Sequence, residues 1–569
     1  MHMIRKSTAL AGIAVLGLGA ILLAGCSTPT PEASNAPSAS LPLAGYAETA
    51  YDDVAQGGTL NIAAGYSPND VGNWNTSQAN TADVEVLNFL APTLGQPAIS
   101  DEEGNWKPDP NFATSIELTS EDPQVVNVKL NPDAKFEGGQ PITANDYKAL
   151  FASLSGKDPA FEIASSAGYE EVTDFEVVSD SEFNVTFGQP YADWPAMFLQ
   201  PPIPAAVSSD PTLFNTGYID KPLPSVGPYK FDTLDTSAGV YTLVPNPDWW
   251  GQPGKLDKIT ITVIDDQTAQ ANAFADDTLD AVEIVTPDQL SIAQAKDGAV
   301  IQTSGGLTYA HVTFNATAAP LDDLNVRKAV AKSIDRESIA AVMYAGMDAE
   351  PTTDGNYIFM PGQTGYEDVI SSDLTYDLDG AAKLLEDSGW KHDESAKKWT
   401  KDGEQLKLSV SVPDGTASNE ARAEQIQASL AAIDIPVTIE TVPAGDYFTA
   451  ISAGDFQMVT FGWSGTLFPI SSAESLYYPA GDPAKPDEGQ NYSFTTDESL
   501  GDLWDDANAE LDPDKRLEIA KKINHVIAGF VPMVPIAPYV EKHATDGDLV
   551  NFGTATFLSA DWTKVGFAK

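Results

Sequence analysis

Few residues in this 569-residue sequence have the types and spacing that catalysis requires. The fragment Gly462-Trp463-Ser464-Gly465 comes closest to a serine-nucleophile motif, but it lacks the Gly-x-Ser-x-Gly spacing of a nucleophile elbow. Neither a Gly-x-x-x-x-Gly-Lys-Ser/Thr phosphate loop nor a His-Glu-x-x-His zinc motif occurs. The histidines beyond residue 2 are widely separated: His311, His392, His525 and His543. These patterns favour a protein that is not an enzyme and that holds neither a cofactor nor a metal.

Acidic residues dominate the charge of the chain, with 82 Asp and Glu against 31 Lys and Arg and a formal net charge of −51. Such a surface repels phosphate backbones, which excludes nucleic acid as a partner. So many carboxylates place some pair at a glycosidase spacing by chance, and their number is therefore no sign of catalysis. The 42% hydrophobic content excludes a mainly disordered chain, and the length predicts several domain-sized units.

Cys26 is the single cysteine of the chain and follows a short apolar segment. Arg5 and Lys6 precede an apolar run over residues 9–23, which ends in Leu23-Ala24-Gly25-Cys26. A positively charged start and a short, glycine-rich apolar centre are typical of a secretory signal rather than a membrane span. The final tetrapeptide resembles the bacterial lipobox, in which the peptide is cleaved before the cysteine and the thiol is lipidated. We therefore expect a lipoprotein signal peptide over residues 1–25 and lipidation of Cys26; the alternative is an ordinary signal with a chance cysteine.

Residues 27–40 are rich in Ser, Thr, Pro, Ala and Asn and show no apolar periodicity. This composition is typical of a flexible linker. We expect residues 26–54 to form a lipidated tether, because two acyl chains suffice for stable membrane anchoring. The predicted location is extracytoplasmic, with the protein anchored to the cell membrane through Cys26.

Short strands and amphipathic helices alternate from residue 57 onward. Apolar alternation predicts strands at 59–63, 125–130, 183–187 and 259–264. Capping residues and helical spacing predict helices at 379–389, around Ile426, Leu430 and Ile433, and at 511–528. Interspersed strands and helices over this length indicate a mixed α/β fold with more than one lobe.

A series of short motifs runs in one order from residue 57 to about residue 540. The longest is 126–146, where a strand and Phe136 lead into a glycine turn and a Thr-Ala-x-Asp helix start. The others are Gly57-Gly58-Thr59-Leu60, Gly227-Pro228-Tyr229, Asn246-Pro247-Asp248-Trp249-Trp250-Gly251, Phe314-Asn315, Asn325-Val326-Arg327-Lys328-Ala329, Ile334-Asp335-Arg336, Ala382-Lys383-Leu384-Leu385, Gly462-Trp463 and Val534-Pro535-Ile536. The ordered series resembles the family 5 extracellular solute-binding proteins, which feed oligopeptides, dipeptides or nickel to ABC importers. Most of these motifs are also typical of helix caps and turns, so they indicate the fold and do not identify the ligand-binding residues.

The resemblance implies an α/β fold of the periplasmic-binding-protein type (type II, large peptide-binding class), with two lobes around a cleft. On that template lobe I comprises residues 55–91, 221–310 and 535–569, its extra subdomain is 92–220, and lobe II is 311–534. Crossings near 311–315 and 531–538 are the expected hinges. The implied motion is closure of the lobes around a ligand.

The resemblance also implies where the ligand binds. In peptide-binding members the Gly-Trp element lies in the lobe II part of the cleft, and an Asp three residues after the Trp pairs with the ligand's α-amino group. Here Thr466 stands at that position and carries no charge. Either another carboxylate, such as Glu474, substitutes for it, or the ligand has no free amine there. Members place further contacts in the loop after the first strand, here residues 67–78.

The ligand-binding residues expected on this basis are Gly462, Trp463, Ser464, Thr466, Phe468, Trp74, Asn75 and Ser77. Two structural alternatives stay open. Trp463 can instead pack within lobe II, and the polar loop 67–78 can instead be an exposed turn.

We expect a substrate-binding protein that captures a peptide-like solute between two lobes and delivers it to the permease of an ABC transporter, acting as a monomer. Oligosaccharide is a rival ligand, because ten Trp residues could supply stacking surfaces. Nickel is disfavoured by the scattered histidines. A secreted hydrolase and a structural cell-wall protein are the alternatives from other functional classes.

Overall fold

The computed structural model describes residues 41–65, 73–79, 87, 89–484 and 489–569, which belong to the unit Ala39–Lys569. The predicted signal peptide, Cys26 and the tether up to residue 40 lie outside the described residues. No helix in the described ranges is long and apolar enough to cross a membrane.

Strands and helices alternate along the described chain. The strands are β1 Thr59–Ala64, β2 Ala98–Ser100, β3 Trp106–Pro108, β4 Ala113–Glu121, β5 Gln124–Leu130, β6 Val172–Ser179, β7 Glu182–Phe187, β8 Tyr229–Asp235, β9 Val240–Pro245, β10 Lys258–Val263, β11 Ala281–Glu283, β12 Val300–Phe314, β13 Lys391–Asp393, β14 Lys398–Lys401, β15 Glu404–Gln405, β16 Leu408–Pro413, β17 Val437–Val442, β18 Met458–Ser464, β19 Met533–Thr545, β20 Leu549–Val550 and β21 Gly566–Phe567. The α-helices are α1 Ala144–Leu154, α2 Ala205–Ser208, α3 Pro211–Thr216, α4 Gln267–Ala275, α5 Pro287–Gln294, α6 Leu324–Ser333, α7 Arg336–Met343, α8 Val369–Asp373, α9 Leu378–Asp387, α10 Ala417–Ala431, α11 Tyr447–Ser452, α12 Pro469–Tyr477, α13 Ser499–Ala509 and α14 Pro513–Phe530.

The predicted elements are present with small differences at their ends. The four predicted strands correspond to β1, β5, β7 and β10, and the predicted helices correspond to α9, α10 and α14. Ile433 lies beyond the last residue of α10, because the chain leaves the helix after Ala431. Asp335 caps α7 by accepting a 3.0 Å hydrogen bond from the Ser338 N–H, as its position before the helix predicted.

The first of the larger sheets has the strand order β1-β10-β9-β8. β1 and β10 are parallel, whereas β10, β9 and β8 are antiparallel neighbours. Its core includes Leu60, Tyr241, Leu243 and Ile259, which are all fully buried. These strands are therefore held by apolar side chains drawn from two distant stretches of the sequence.

The second sheet is an antiparallel meander with the order β4-β5-β7-β6. Helix α1 covers it and packs Tyr147 against Phe183, with ring centroids 5.5 Å apart. Thr143 is the N-cap of this helix, as the sequence predicted, and its N–H donates a 2.8 Å hydrogen bond to the Asp146 carboxylate. The alternate residues of β5 and β7 that are buried thus belong to one large core on a single face of this sheet.

The third sheet has six strands in the order β11-β19-β12-β18-β16-β17. Its long central pair, β12 and β19, is antiparallel from Val300 opposite Thr545 to Thr313 opposite Met533. Ala544 lies in a core with α4 and α5, whereas Val312 and Val534 lie in a separate core with α6, α10 and α14. The two strands therefore connect two apolar cores, and the predicted crossings lie within or beside them. The predicted lobe boundaries themselves stay a prediction.

The first described residues run beside this central pair. The Gly305 N–H donates a 3.0 Å hydrogen bond to the Pro42 carbonyl. The Thr556 N–H donates a 2.7 Å hydrogen bond to the Leu43 carbonyl, and the Gly45 N–H donates one of 2.8 Å to the Thr554 carbonyl. Residues 42–45, which belong to the predicted tether 26–54, are thus bonded to β12 and to the C-terminal stretch.

Candidate ligand-binding site

Three parallel strands of the six-stranded sheet end along one edge. β16 is parallel to both β17 and β18, and the three strands end at Pro413, Val442 and Ser464. The residues that follow are mostly exposed, as in the stretch 443–446. Ligands of α/β sheets bind outside the carboxyl ends of parallel strands. We call this edge the carboxyl edge and treat it as the candidate site.

The end of β18 has an open backbone edge. β18 pairs with β12 along its whole length, but it pairs with β16 only at Met458 and Val459. The outer backbone edge of 461–464 therefore has no strand partner among the described strands. An extended chain can add to such an edge through main-chain hydrogen bonds. Gly462, Trp463 and Ser464, all predicted site residues, lie on this open edge.

Trp463 belongs to a cluster of aromatic side chains beside that edge. Its ring is nearly parallel to that of Tyr492, with an interplanar angle of 14° and centroids 5.8 Å apart. Phe461 packs edge-on against Trp463, and Phe448, which is 52% exposed, packs edge-on against Phe461. Trp463 itself is half-buried. It both packs within the protein and presents ring surface to solvent.

Three predicted residues lie at or just beyond the end of β18. The Ser464 hydroxyl lies 3.0 Å from that of Thr308. The exposed Thr466 hydroxyl lies 2.9 Å from the Ser472 hydroxyl and accepts a 3.1 Å hydrogen bond from the Phe468 N–H. Phe468 is half-buried at the start of α12. The structure thus brings five predicted residues together at the carboxyl edge.

Glu474 was the predicted substitute for the missing carboxylate. It lies on α12 and accepts a 2.8 Å hydrogen bond from the Asn508 side chain. Burial raises the pKa of Glu474 above its ordinary value. One of its oxygens is thus already engaged within the protein.

The other three predicted residues are buried elsewhere. Trp74 is 1% exposed and packs edge-on against Phe89 and Phe231 in the core of the first sheet. Asn75 is fully buried, donates to the Phe214 carbonyl and accepts from the N–H of Ser77. In the described part of the loop, residues 73–78, polar side chains therefore satisfy internal backbone groups; residues 67–72 lie outside the described ranges. The role of the three predicted residues as ligand contacts stays a prediction.

Sequence reasoning missed a hydrogen-bonded group of three residues on α10, β18 and β19: Arg422, Thr460 and Tyr539. Arg422 of α10 is 1% exposed, and its Nε donates a 2.9 Å hydrogen bond to the Thr460 hydroxyl. One terminal nitrogen donates a 2.9 Å hydrogen bond to the Tyr539 hydroxyl on β19. A sequence signal existed, because Arg422 shares a helix face with the apolar residues Ile426 and Leu430 at four-residue spacing.

His311 lies next to Arg422 in the same layer. It is fully buried, and its Nδ1 lies 3.0 Å from the Thr313 hydroxyl. Burial and the Arg422 charge lower the pKa of His311 from 6.5 to about 3. The imidazole is therefore neutral at physiological pH, and it neither adds to nor cancels the charge of Arg422.

A concavity of about 380 Å³ lies at the opposite end of these strands. It is lined by Trp390, Lys401 and Gln457 among others, and Gln457 immediately precedes the amino end of β18. It is therefore separate from the carboxyl edge. Among the described residues, no group of three His, Cys, Asp or Glu could hold a metal ion.

Comparison with known proteins identifies the family. Residues 107–484 match the model of the bacterial extracellular solute-binding proteins, family 5 Middle. The chain belongs to the family 5 solute-binding proteins. The oligopeptide-binding protein OppA of Mycobacterium tuberculosis is 33% identical over 97% of this chain and 92% of its own length. The dipeptide-binding protein of Escherichia coli is 21% identical over 72% of this chain and 76% of its own length.

Solved structures show the same fold. The periplasmic EDTA-binding protein EppA has a TM-score of 0.80 and 23% identity, and the match covers 95% of this chain and all of that one. The Bacillus subtilis oligopeptide-binding protein AppA, in complex with a nonapeptide, has a TM-score of 0.68 and 21% identity over 91% of this chain and all of AppA. These matches confirm the predicted family and the predicted two-lobed α/β fold. The relatives are binding proteins, and none of those named here is an enzyme.

Replacing Trp463 with Ala is expected to weaken ligand binding by more than about 1 kcal/mol, because a large aromatic at a binding edge buries much ligand surface. Titration calorimetry with a peptide that the wild-type protein binds measures this loss of affinity. Tyr376→Ala is the matched control, since Tyr376 is 48% exposed on a different part of the chain and should leave affinity unchanged. A large fall in melting temperature with unaltered affinity would assign Trp463 to packing alone.

Proposed function

We propose that the chain is a lipid-anchored, extracytoplasmic binding protein that captures a peptide-like solute between its two lobes and delivers it to the permease of an ABC importer. The observation that carries the proposal is the open backbone edge of 461–464 at the ends of three parallel strands. A peptide can add to this edge through its main chain, which gives affinity with little dependence on side chains. The protein acts as a monomer and catalyses no reaction on its ligand.

The relatives support a peptide ligand. The Mycobacterium tuberculosis relative is named an oligopeptide-binding protein, and the Bacillus subtilis structure holds a nonapeptide. The Helicobacter pylori protein DppA, which shares the fold, is in complex with the peptide STSA. By analogy, lobe I would comprise 55–91, 221–310 and 535–569 with the subdomain 92–220, lobe II would be 311–534, and β12 and β19 would carry the hinges.

One observation favours a second candidate, a neutral or non-peptide solute such as an oligosaccharide. Thr466 has no charge with which to pair an α-amino group, and the nearby Trp463 and Tyr492 present aromatic rings. Aromatic faces also bind sugar rings. A peptide ligand needs main-chain hydrogen bonds to the open edge of 461–464, whereas an oligosaccharide does not.

A direct experiment compares peptides with oligosaccharides as ligands. We expect a mixture of short peptides to raise the melting temperature, since a ligand that binds only the native state stabilises it by mass action. X-ray scattering should show a smaller radius of gyration with peptide, as lobe closure requires. A shift with maltooligosaccharides and none with peptides would favour the second candidate instead.

Replacing Cys26 with Ala is expected to release or misprocess the protein, because the acyl chains on Cys26 supply its membrane anchor. Fractionation of cells and mass spectrometry of the mature N-terminus measure the effect. Ser27→Ala is the matched control and should keep both anchor and cleavage. If the C26A variant stays in the membrane and the wild-type protein carries no acyl chain, the anchor is disproved.

A further inference from the structure

Arg422 is a buried cation whose hydrogen-bond partners are all neutral. It donates to the Thr460 hydroxyl, the Tyr539 hydroxyl and the Asn419 side-chain oxygen. In the described part of the chain, no carboxylate lies within ion-pairing distance of this guanidinium. Burying a charge without a counterion is costly. The described residues therefore hold a buried positive charge without a carboxylate partner.

Two of the other three arginines in the described residues have carboxylate partners. Arg516 pairs with Asp193, and Arg336 lies 3.5 Å from Asp368. Arg327, which is 5% exposed, donates to the carbonyls of Phe530 and Leu321 at 2.9 and 2.8 Å. Arg327 thus also lacks a carboxylate partner, but it bonds to backbone carbonyls, whereas Arg422 bonds to side-chain oxygens that include the Tyr539 hydroxyl.

One of the neutral partners of Arg422, Tyr539, lies beside the candidate site. Tyr539 is half-buried, and its ring lies so close to Gly462 that a Cβ there would be 3.3 Å from Cε2. Along β12, the register jumps between Gly305 opposite Val540 and Tyr309 opposite Pro538. Residues 306–308 therefore bulge away from β19 beside Tyr539, and bulges of this kind often re-aim side chains at functional sites. Tyr539 thus contacts both the buried guanidinium and the surroundings of Gly462 near the end of β18.

A hydroxyl that accepts a hydrogen bond from a guanidinium becomes a stronger donor itself. Its best acceptor is an anion, and the resulting charge-assisted hydrogen bond is among the stronger ones in proteins. His311 is neutral there and Thr466 carries no charge, so Arg422 is the charged group that hydrogen-bonds to Tyr539. The arrangement offers a hydroxyl donor that is backed by a guanidinium.

We propose that the Tyr539 hydroxyl, held by Arg422, binds a carboxylate of the ligand at the end of β18. Tyr539 is the contact residue, and Arg422 is a positioning residue that supplies the charge. The inference deepens the proposed function and rests on it for the position of the ligand. A peptide supplies such a carboxylate at its C-terminus, and a non-peptide carboxylate supplies the same chemistry.

The test compares ligands that differ only in this group. The probes are a mixture of N-acetylated hexapeptides with free C-terminal carboxylates, the same mixture with C-terminal amides, and citrate as a non-peptide carboxylate. Titration calorimetry measures their affinities for the wild-type protein and for Tyr539→Phe, Arg422→Met and Tyr344→Phe. Tyr344 is the matched control, because its buried hydroxyl donates to the Pro538 carbonyl of the same strand.

We expect the wild-type protein to bind the acid mixture at least about tenfold more tightly than the amide mixture. Tyr539→Phe and Arg422→Met should reduce that ratio to within about twofold, whereas Tyr344→Phe should keep it. If Arg422→Met does not fold, Tyr539→Phe alone decides. Binding of citrate but of neither peptide mixture, lost in Tyr539→Phe, would support the carboxylate site and disprove the peptide ligand.

Two results would overturn the inference. One is equal affinity of the wild-type protein for the acid and the amide mixtures, which would support the proposed function without the carboxylate site. The other is an acid-to-amide ratio that Tyr539→Phe leaves intact. Absence of binding by all three probes would overturn both proposals.

Discussion

Replacing Asp193 with Asn is expected to lower the free energy of unfolding by about 3–5 kcal/mol, because it removes one partner of a buried ion pair. The Asp193 side chain is 2% exposed and accepts hydrogen bonds from both terminal nitrogens of Arg516, one at 2.8 Å. Arg516 also donates to the Ala507 carbonyl. In the variant, the guanidinium stays buried without its counterion.

This ion pair joins two of the apolar cores. Asp193 precedes Trp194, which lies in the core of the second sheet, whereas Arg516 lies on α14, which packs in the core of the third. Ala192 adds a 2.8 Å backbone hydrogen bond to the Asn508 carbonyl. Losing the pair should therefore weaken the contact between these cores as well as each core's own stability.

Urea unfolding, followed by both fluorescence and circular dichroism, measures the effect of D193N. The control is Glu518→Gln on the same helix, which breaks an exposed pair with Lys521 and should change little. Two probes are needed because a protein with several cores need not unfold in one step. A loss below about 1 kcal/mol in D193N would show that the pair adds no more than a surface contact.

Replacing Thr466 with Asp is expected to weaken ligand binding by about tenfold to a hundredfold. The new carboxylate would repel a hydrogen-bond acceptor of the ligand at the end of β18. If the lobes close over it, the carboxylate would also lose its water without gaining a positively charged partner. The loop itself should survive, because an Asp oxygen can still accept the Phe468 N–H that Thr466 now accepts.

Thr466→Asn is the matched control, since it offers the same acceptor to Phe468 without a charge. We expect T466N to bind nearly as the wild type does, and the difference between the two variants isolates the charge. Calorimetry with one peptide across the three proteins gives the comparison. Tighter binding in T466D would show that the ligand presents a free α-amine there, as in the peptide-binding members.

Local patterns predicted the elements and the order of motifs well. The alternation in β5 and the Asp146 contact at the start of α1 depend on neighbours within a few residues, which the sequence displays directly. Helix ends were less certain, and Ile433 continues the apolar spacing although α10 has already ended. The motif series identified the family because its members are spread over most of the chain.

Side-chain surroundings were harder to predict because they depend on distant strands. The polarity of Asn75 suggested a cleft wall, yet its amide satisfies the Phe214 carbonyl 139 residues away. Arg422 was overlooked because its partners Thr460 and Tyr539 come from β18 and β19, and only the folded sheet brings them together. A cation on the apolar face of a helix was the visible sign of that site.

The most direct test of a peptide-binding role is mass spectrometry of the whole protein, purified in detergent from the cells that make it, without added ligand. Native spectra should show one small ligand per chain, and its release by denaturation should yield peptides of mixed sequence, as main-chain recognition requires. A released ligand that contains no peptide bonds would contradict the proposed function. So would a ligand-free protein that no peptide in a mixed library shifts in mass.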